Sequence, residues 1–88
     1  MAAHKIIFDR DVDKDLTKLP KHIVKNILKK VMSLSNQPRP AQSLKLTGTT
    51  GLYRLRMGDY RIIYAIDDLS KEIVVYHVRH RKDVYRHF

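Results

Sequence analysis

The chain has 88 residues, a formal net charge of +9 and no cysteine. That length accommodates one domain, read here as residues 1–88, and the lack of Cys excludes disulfides, thiolate zinc sites and cysteine nucleophiles together. At 43% hydrophobic and 31% charged residues the composition is that of a globular protein.

No apolar run approaches the roughly 18–20 residues of a membrane helix, and the segment after Met1 has no signal-peptide core. The expectation is a cytoplasmic protein without membrane contact. The positive charge calls for a polyanion, an acidic protein or both as partner. It is unevenly placed: residues 1–20 balance to zero, 21–63 carry +8, 64–78 carry −2 and 79–88 carry +3.

His4 to Phe8 is a short β-prone run and a first strand. Asp9 or Asp11 then caps a helix, with Asp13 and Asp15 near its positive N-terminal dipole. Val12, Leu16 and Leu19 recur at helical spacing and form its apolar face. Pro20 suits the first turn of a second helix. There Ile23, Val24, Ile27, Leu28, Val31 and Leu34 make a broad apolar stripe, opposite Lys21, Lys25 and Lys29. Asn36 to Pro40 ends this helical hairpin, and Ala41 to Gly51 reads as a polar connection.

Leu52–Met57 and Tyr60–Ile66 flank Gly58-Asp59, a two-residue hairpin signal. Asp67–Lys71 is a further turn and Glu72–Val78 a third strand rich in β-branched residues. The chain closes on a short basic tail. The order predicts an α+β fold: an N-terminal strand, a two-helix hairpin and an antiparallel three-strand meander, with the helices on one face.

Alternation along the strands sorts the arginines. Arg54 and Arg56 share one face of the first hairpin strand, and Tyr53, Leu55 and Met57 the other. If helices cover the Tyr/Leu/Ile face, Arg54, Arg56 and Arg61 meet on the open one. With the last strand extended, His77, Arg79 and Arg81 also share a face. The bland reading pairs these arginines with Asp59, Asp67, Asp68 and Glu72, but four acids cannot pair them all. For His77 the bland reading is a hydrogen-bonded core or edge residue.

Arginine suits phosphate because its planar fork donates paired hydrogen bonds and never deprotonates. Arginines beside Tyr and His can hold a nucleic-acid backbone and stack an unpaired base. RNA carries its own nucleophile in the 2′-hydroxyl, so scission needs only a base, an acid and charge stabilisation. His80 is placed to move a proton, Arg61 and Arg81 to stabilise the phosphorane, and Tyr85 stands one helical turn beyond Arg81. Arg54, Arg56, Lys45, Arg79 and Lys82 complete the basic set expected to bind RNA. The histidines and acids lack metal-ligand spacing, and no phosphate-cradling Gly-rich loop or Ser nucleophile elbow is present, so no metal or other cofactor is expected.

Asp15-Leu-Thr-Lys-Leu-Pro20, Leu44-Lys-Leu-Thr-Gly48, Tyr53-Arg-Leu-Arg-Met-Gly-Asp-Tyr-Arg-Ile-Ile-Tyr64 and His80-Arg-Lys-Asp-Val-Tyr85, in this order over nearly the whole chain, resemble the RelE/ParE toxin superfamily, on the RelE side. The resemblance implies a RelE-like fold and the toxin of a type II toxin–antitoxin pair. Such a toxin cleaves mRNA in the ribosomal A site through the RNA 2′-hydroxyl, without a metal. It is silenced by an acidic, RelB-like antitoxin, and the complex binds operator DNA through that antitoxin.

By position, Arg54 and Arg56 fall where the family contacts the scissile region, and Arg61 at the phosphate-stabilising arginine. Arg81 falls at the tail arginine of the transition state and Tyr85 at the tyrosine that stacks on the base. Arg54 and Arg56 depart from the lysines of the best-studied bacterial relative, one of them a proposed base, and a guanidinium cannot take that role. Two other readings remain open: a ParE-like inhibitor of DNA gyrase that cleaves nothing, and a non-catalytic nucleic-acid-binding module. In every case the open sheet face and arginine cleft call for an acidic, partly disordered partner segment.

Overall fold

The computed structural model describes residues 3–81. β1 (Lys5–Phe8) leads into α1 (Arg10–Thr17) and α2 (Lys21–Ser33), followed by β2 (Ser43–Lys45), β3 (Leu52–Met57), β4 (Tyr60–Asp67) and β5 (Glu72–His80). The strands form one five-stranded sheet in the order β1-β5-β4-β3-β2.

Local chemistry accounts for the helix starts. Asp9, in an extended conformation, accepts from the Asp11 N–H at 3.4 Å and caps α1. Pro20 stands just before α2 rather than within its first turn, and its carbonyl accepts from the Ile23 and Val24 N–H groups. The missing donor of proline costs nothing at that place.

Two features depart from the meander read in the sequence. The connection 41–51 contains β2, a three-residue edge strand in which Ser43, Leu44 and Lys45 pair with Leu55, Arg54 and Tyr53. A run this short, with one large apolar residue, carries no alternation signal. β1 pairs parallel with β5, Lys5 to Glu72 through Phe8 to Val75, so the sheet is mixed. The helical hairpin between β1 and the rest is the crossover that parallel pairing requires.

The helices cover one face. Val12, Ile27, Val31 and Leu34 pack on Leu55, Ile62, Tyr64, Ile73, Val75 and Val78, all at most 4% exposed. Tyr64 is the largest fully buried side chain. Its hydroxyl donates to the Pro38 carbonyl at 2.7 Å and its ring stacks on Tyr53, with centroids 5.7 Å apart. Burial pushes the Tyr64 phenol pKa up. Arg39 lies over the Tyr53 ring, donates to its hydroxyl and pairs with Asp68 at 2.8 Å, tying the 36–40 segment to the β4–β5 turn. That guanidinium, with His4, holds the Asp68 carboxyl below the usual range.

β5 contains a bulge. Ile63 pairs with His77 but Tyr64 pairs with Val75, so Tyr76 has no partner on β4. One extra residue inverts the alternation. Ile73 and Val75 face the helices before it and Val78 after it, while His77 and Arg79 move to the opposite face.

Candidate nucleic-acid interface

That opposite face gathers the arginines. Arg56 on β3 pairs with Arg61 on β4, which pairs with Arg79 on β5. Three adjacent strands thus contribute one arginine each to a single cross-strand row. Arg54, Ile63 and His77 make the next row. Like charges directly opposite one another destabilise a sheet, and a row of three is not what stability alone would select.

The Gly58-Asp59 turn ends the row and organises it. Gly58 adopts a positive φ of 58°, which the tight turn requires. Arg61, only 8% exposed, donates from Nη1 to the Gly58 carbonyl at 2.8 Å and to the Tyr60 carbonyl at 3.0 Å. The Arg81 N–H donates to the Asp59 carbonyl at 2.7 Å, and Arg81 Nε lies 3.9 Å from the Asp59 carboxylate. Arg81 is 57% exposed and Arg56 is exposed, so these two offer their forks to solvent beside the anchored Arg61.

The remaining candidates separate. His80 pairs with Tyr60 on the helix side of the sheet, edge-on to its ring at 5.7 Å between centroids. The imidazole that shares the arginine face is His77, which accepts from Arg79 Nη2 at 3.2 Å. Lys45 is exposed on edge strand β2, opposite Tyr53 and thus on the other face from Arg54. Tyr85 and Lys82 lie outside the described residues. Asp67 accepts from the Leu69 and Ser70 N–H groups, and Glu72 from the Ser70 hydroxyl, so these acids hold the β4–β5 turn.

Sequence reasoning missed Asp15. It is 7% exposed in α1, accepts from the Val78 N–H at 2.9 Å, and lies 3.6 Å from His77 Nδ1 and 3.8 Å from Arg79 Nη1. The available signal was a carboxylate three residues from Val12, on the helix face otherwise given to apolar side chains.

A second feature lies on the helices. Leu16, Leu19, Val24 and Leu28 line a groove of about 600 Å³ between α1 and α2, with Lys21 and Lys25 also lining it. Among the described residues no cluster of His, Asp and Glu could hold a metal ion, and no helix is long and apolar enough to cross a membrane.

The mixed sheet with a helical hairpin on one face is shared with a known toxin class. The family model described as the ParE toxin of the type II toxin–antitoxin system matches residues 6–85. The chain is 31% identical to Toxin RelG of Mycobacterium tuberculosis over 94% of its own length and 97% of that protein. The RelBE2 toxin–antitoxin complex of M. tuberculosis superposes with a TM-score of 0.80 at 30% identity, covering 90% of this chain and 99% of that one. The archaeal RelE–RelB complex of Pyrococcus horikoshii gives 0.80 at 32% identity, covering 90% and 96%.

The chain belongs to the RelE/ParE toxin superfamily and is a RelE-family toxin of a type II toxin–antitoxin system.

Proposed function

We propose that this toxin is a ribosome-dependent mRNA endoribonuclease, a single catalytic domain acting in the cytoplasm without a metal. The observation that carries the reading is the cross-strand row Arg56–Arg61–Arg79 with Arg81 at its end. Guanidiniums held together against their mutual repulsion need an anion, and a phosphodiester becoming a phosphorane gains the charge they answer. The RNA 2′-hydroxyl supplies the nucleophile, and Arg54 and Arg56 hold the backbone. Lys82 adds a further charge for the RNA and Tyr85 stacks on a base, whereas Lys45, on the other face at the β2 edge, is left to RNA that passes round that edge. His77 is the imidazole best placed for proton transfer beside the row, with His80 reaching the cleft only from the other face.

The test incubates purified toxin with a defined mRNA, with and without programmed ribosomes, and maps RNA ends by primer extension. Discrete cuts within codons are expected only with ribosomes. Arg81→Ala should slow cutting roughly a hundredfold without changing the melting temperature. Arg56→Ala should weaken RNA binding and lower the salt slope by about one, while raising the denaturation midpoint because a like-charge pair is relieved. Intact RNA in both tubes would remove the nuclease. The match to a ParE family model makes gyrase inhibition the second reading, which a supercoiling assay decides.

The partner is an acidic RelB-like antitoxin, through which the complex would bind operator DNA. Solved relatives crystallised as RelE–RelB complexes support this. So does the groove between α1 and α2, an apolar floor with Lys21 and Lys25 beside it, which suits an amphipathic helix of negative charge. Leu28→Glu, at a 36% exposed position, is expected to weaken antitoxin binding at least thirtyfold by calorimetry. The toxin's own stability should move by less than about 0.5 kcal/mol.

A further inference from the structure

The buried carboxylate of Asp15 has no evident purpose in the core. Its neighbours in α1, Asp13 and Lys14, are exposed, and a carboxylate at 7% exposure is costly unless its partners repay the desolvation. One partner is structural. β1 pairs with β5 only as far as Val75, so beyond that point the β5 edge toward β1 is uncovered and the Val78 N–H would be an unsatisfied buried donor. Asp15 Oδ2 accepts it at 2.9 Å. An asparagine or threonine could do the same without bringing in a charge.

The charge has a different target. Val78 is flanked by His77 and Arg79, and the carboxylate fixed on its N–H stands 3.6 Å from His77 Nδ1 and 3.8 Å from Arg79 Nη1. Arg79 is held loosely for an arginine at one-quarter exposure. Nη2 donates to His77 Nδ1 at 3.2 Å, Nη1 lies beyond hydrogen-bond distance of Asp15, and Nε is buried without a partner among the described residues. Among the described residues one bond satisfies the fork, and with a row of like charges pushing on it the guanidinium is oriented chiefly by the nearest negative charge. That charge is Asp15, and the same residues with Lys18, Leu19 and His80 line a cleft of about 120 Å³ there.

We infer that Asp15 is a positioning residue: anchored on the Val78 N–H, its charge holds the Arg79 guanidinium at the end of the arginine row, where Nη2 also donates to His77. Arg79 touches the RNA and Asp15 does not. The inference rests on the nuclease reading for its effect on rate, but the placement of Arg79 is measurable without RNA.

The test compares Asp15→Asn and Asp15→Glu with the native toxin in two measurements. NMR relaxation of the Arg79 Nε–H reports whether the side chain is ordered, and single-turnover cleavage of ribosome-bound mRNA reports the rate. Asn keeps an oxygen for the Val78 N–H, so the fold should survive; the Arg79 signal should lose its rigidity and cleavage fall about tenfold or more, mostly in kcat. Asp15→Glu keeps the charge and should recover part of both.

On an Arg79→Ala background Asp15→Asn should cost nothing further, since the two act as one unit. Unchanged Arg79 dynamics and rate in the Asn variant, or an undiminished loss on the Arg79→Ala background, would overturn the inference. If the Asn variant unfolds, an Arg79 signal in the Glu variant indistinguishable from native would overturn it equally. If the native toxin leaves RNA intact, the nuclease reading fails and the NMR comparison alone decides the role of Asp15.

Discussion

Deletion of Ile63 is expected to unfold the protein, whereas deletion of Tyr76 should cost only about 1–2 kcal/mol. The difference lies in the backbone count. Tyr76 is the unpaired residue of the β5 bulge, and removing it leaves Ile73, Val75 and Val78 on the helix side and His77 and Arg79 opposite. β4 has no spare residue, so without Ile63 either Ile62 leaves the helix-side core or Tyr64 and Ile66 do. The first turns the Arg61 guanidinium inward in place of Ile62, and the second strips the Tyr64 ring from the core. Each route exceeds about 4–5 kcal/mol, a large part of the roughly 5–15 kcal/mol that a domain has in total. Far-UV circular dichroism and urea melts check it. An Ile63 deletion that melts cooperatively near the native midpoint would show that the residue count does not set the faces.

Tyr64→Ala should be nearly as severe, at about 3–5 kcal/mol by denaturant midpoint, because the largest fully buried side chain leaves a cavity under both helices. Tyr64→Phe separates the ring from its hydroxyl. It keeps the packing against Leu55 and Ile62 but removes the 2.7 Å bond to the Pro38 carbonyl, so a loss of about 0.5–1.5 kcal/mol is expected. An Ala variant no less stable than the Phe variant would mean that the core closes over the space.

These residues also show what could be read in advance. The helical hairpin was legible because Val12, Leu16, Ile27 and Val31 recur at helical spacing, and the β3–β4 hairpin because Gly58-Asp59 stands between alternating runs. The placing of Arg56 and Arg61 on one face follows from the same alternation. The side of β5 that carries Arg79 does not. Alternation counted from Ile73 and Val75 sends Arg79 into the core, and only the bulge sends it out; the expectation that His77 and Arg79 share a face was correct, but nothing in the residues tells which face.

Asp15 was hidden for a related reason. In α1 it reads as one more helix-favouring acid near the N-terminus, and its partner Val78 offers a backbone group, which no side-chain pattern displays. β2 escaped because three residues are too few to alternate. His80 stands between two arginines in the sequence, whereas pairing with Tyr60 turns it to the opposite side of the strand.

The parallel pairing of β1 with β5 bears on how the toxin comes into being. Lys5 to Phe8 are made long before their partners, Glu72 to Val75. Contacts so distant along the chain close slowly, and here β1 has no partner until β5 has been made. The arginine row waits on the same event, because Arg79 joins Arg61 only when β5 docks. A nascent chain therefore carries neither the finished sheet nor the assembled basic face until β5 has been made. An antitoxin already present meets the toxin at the moment the molecule first becomes able to act.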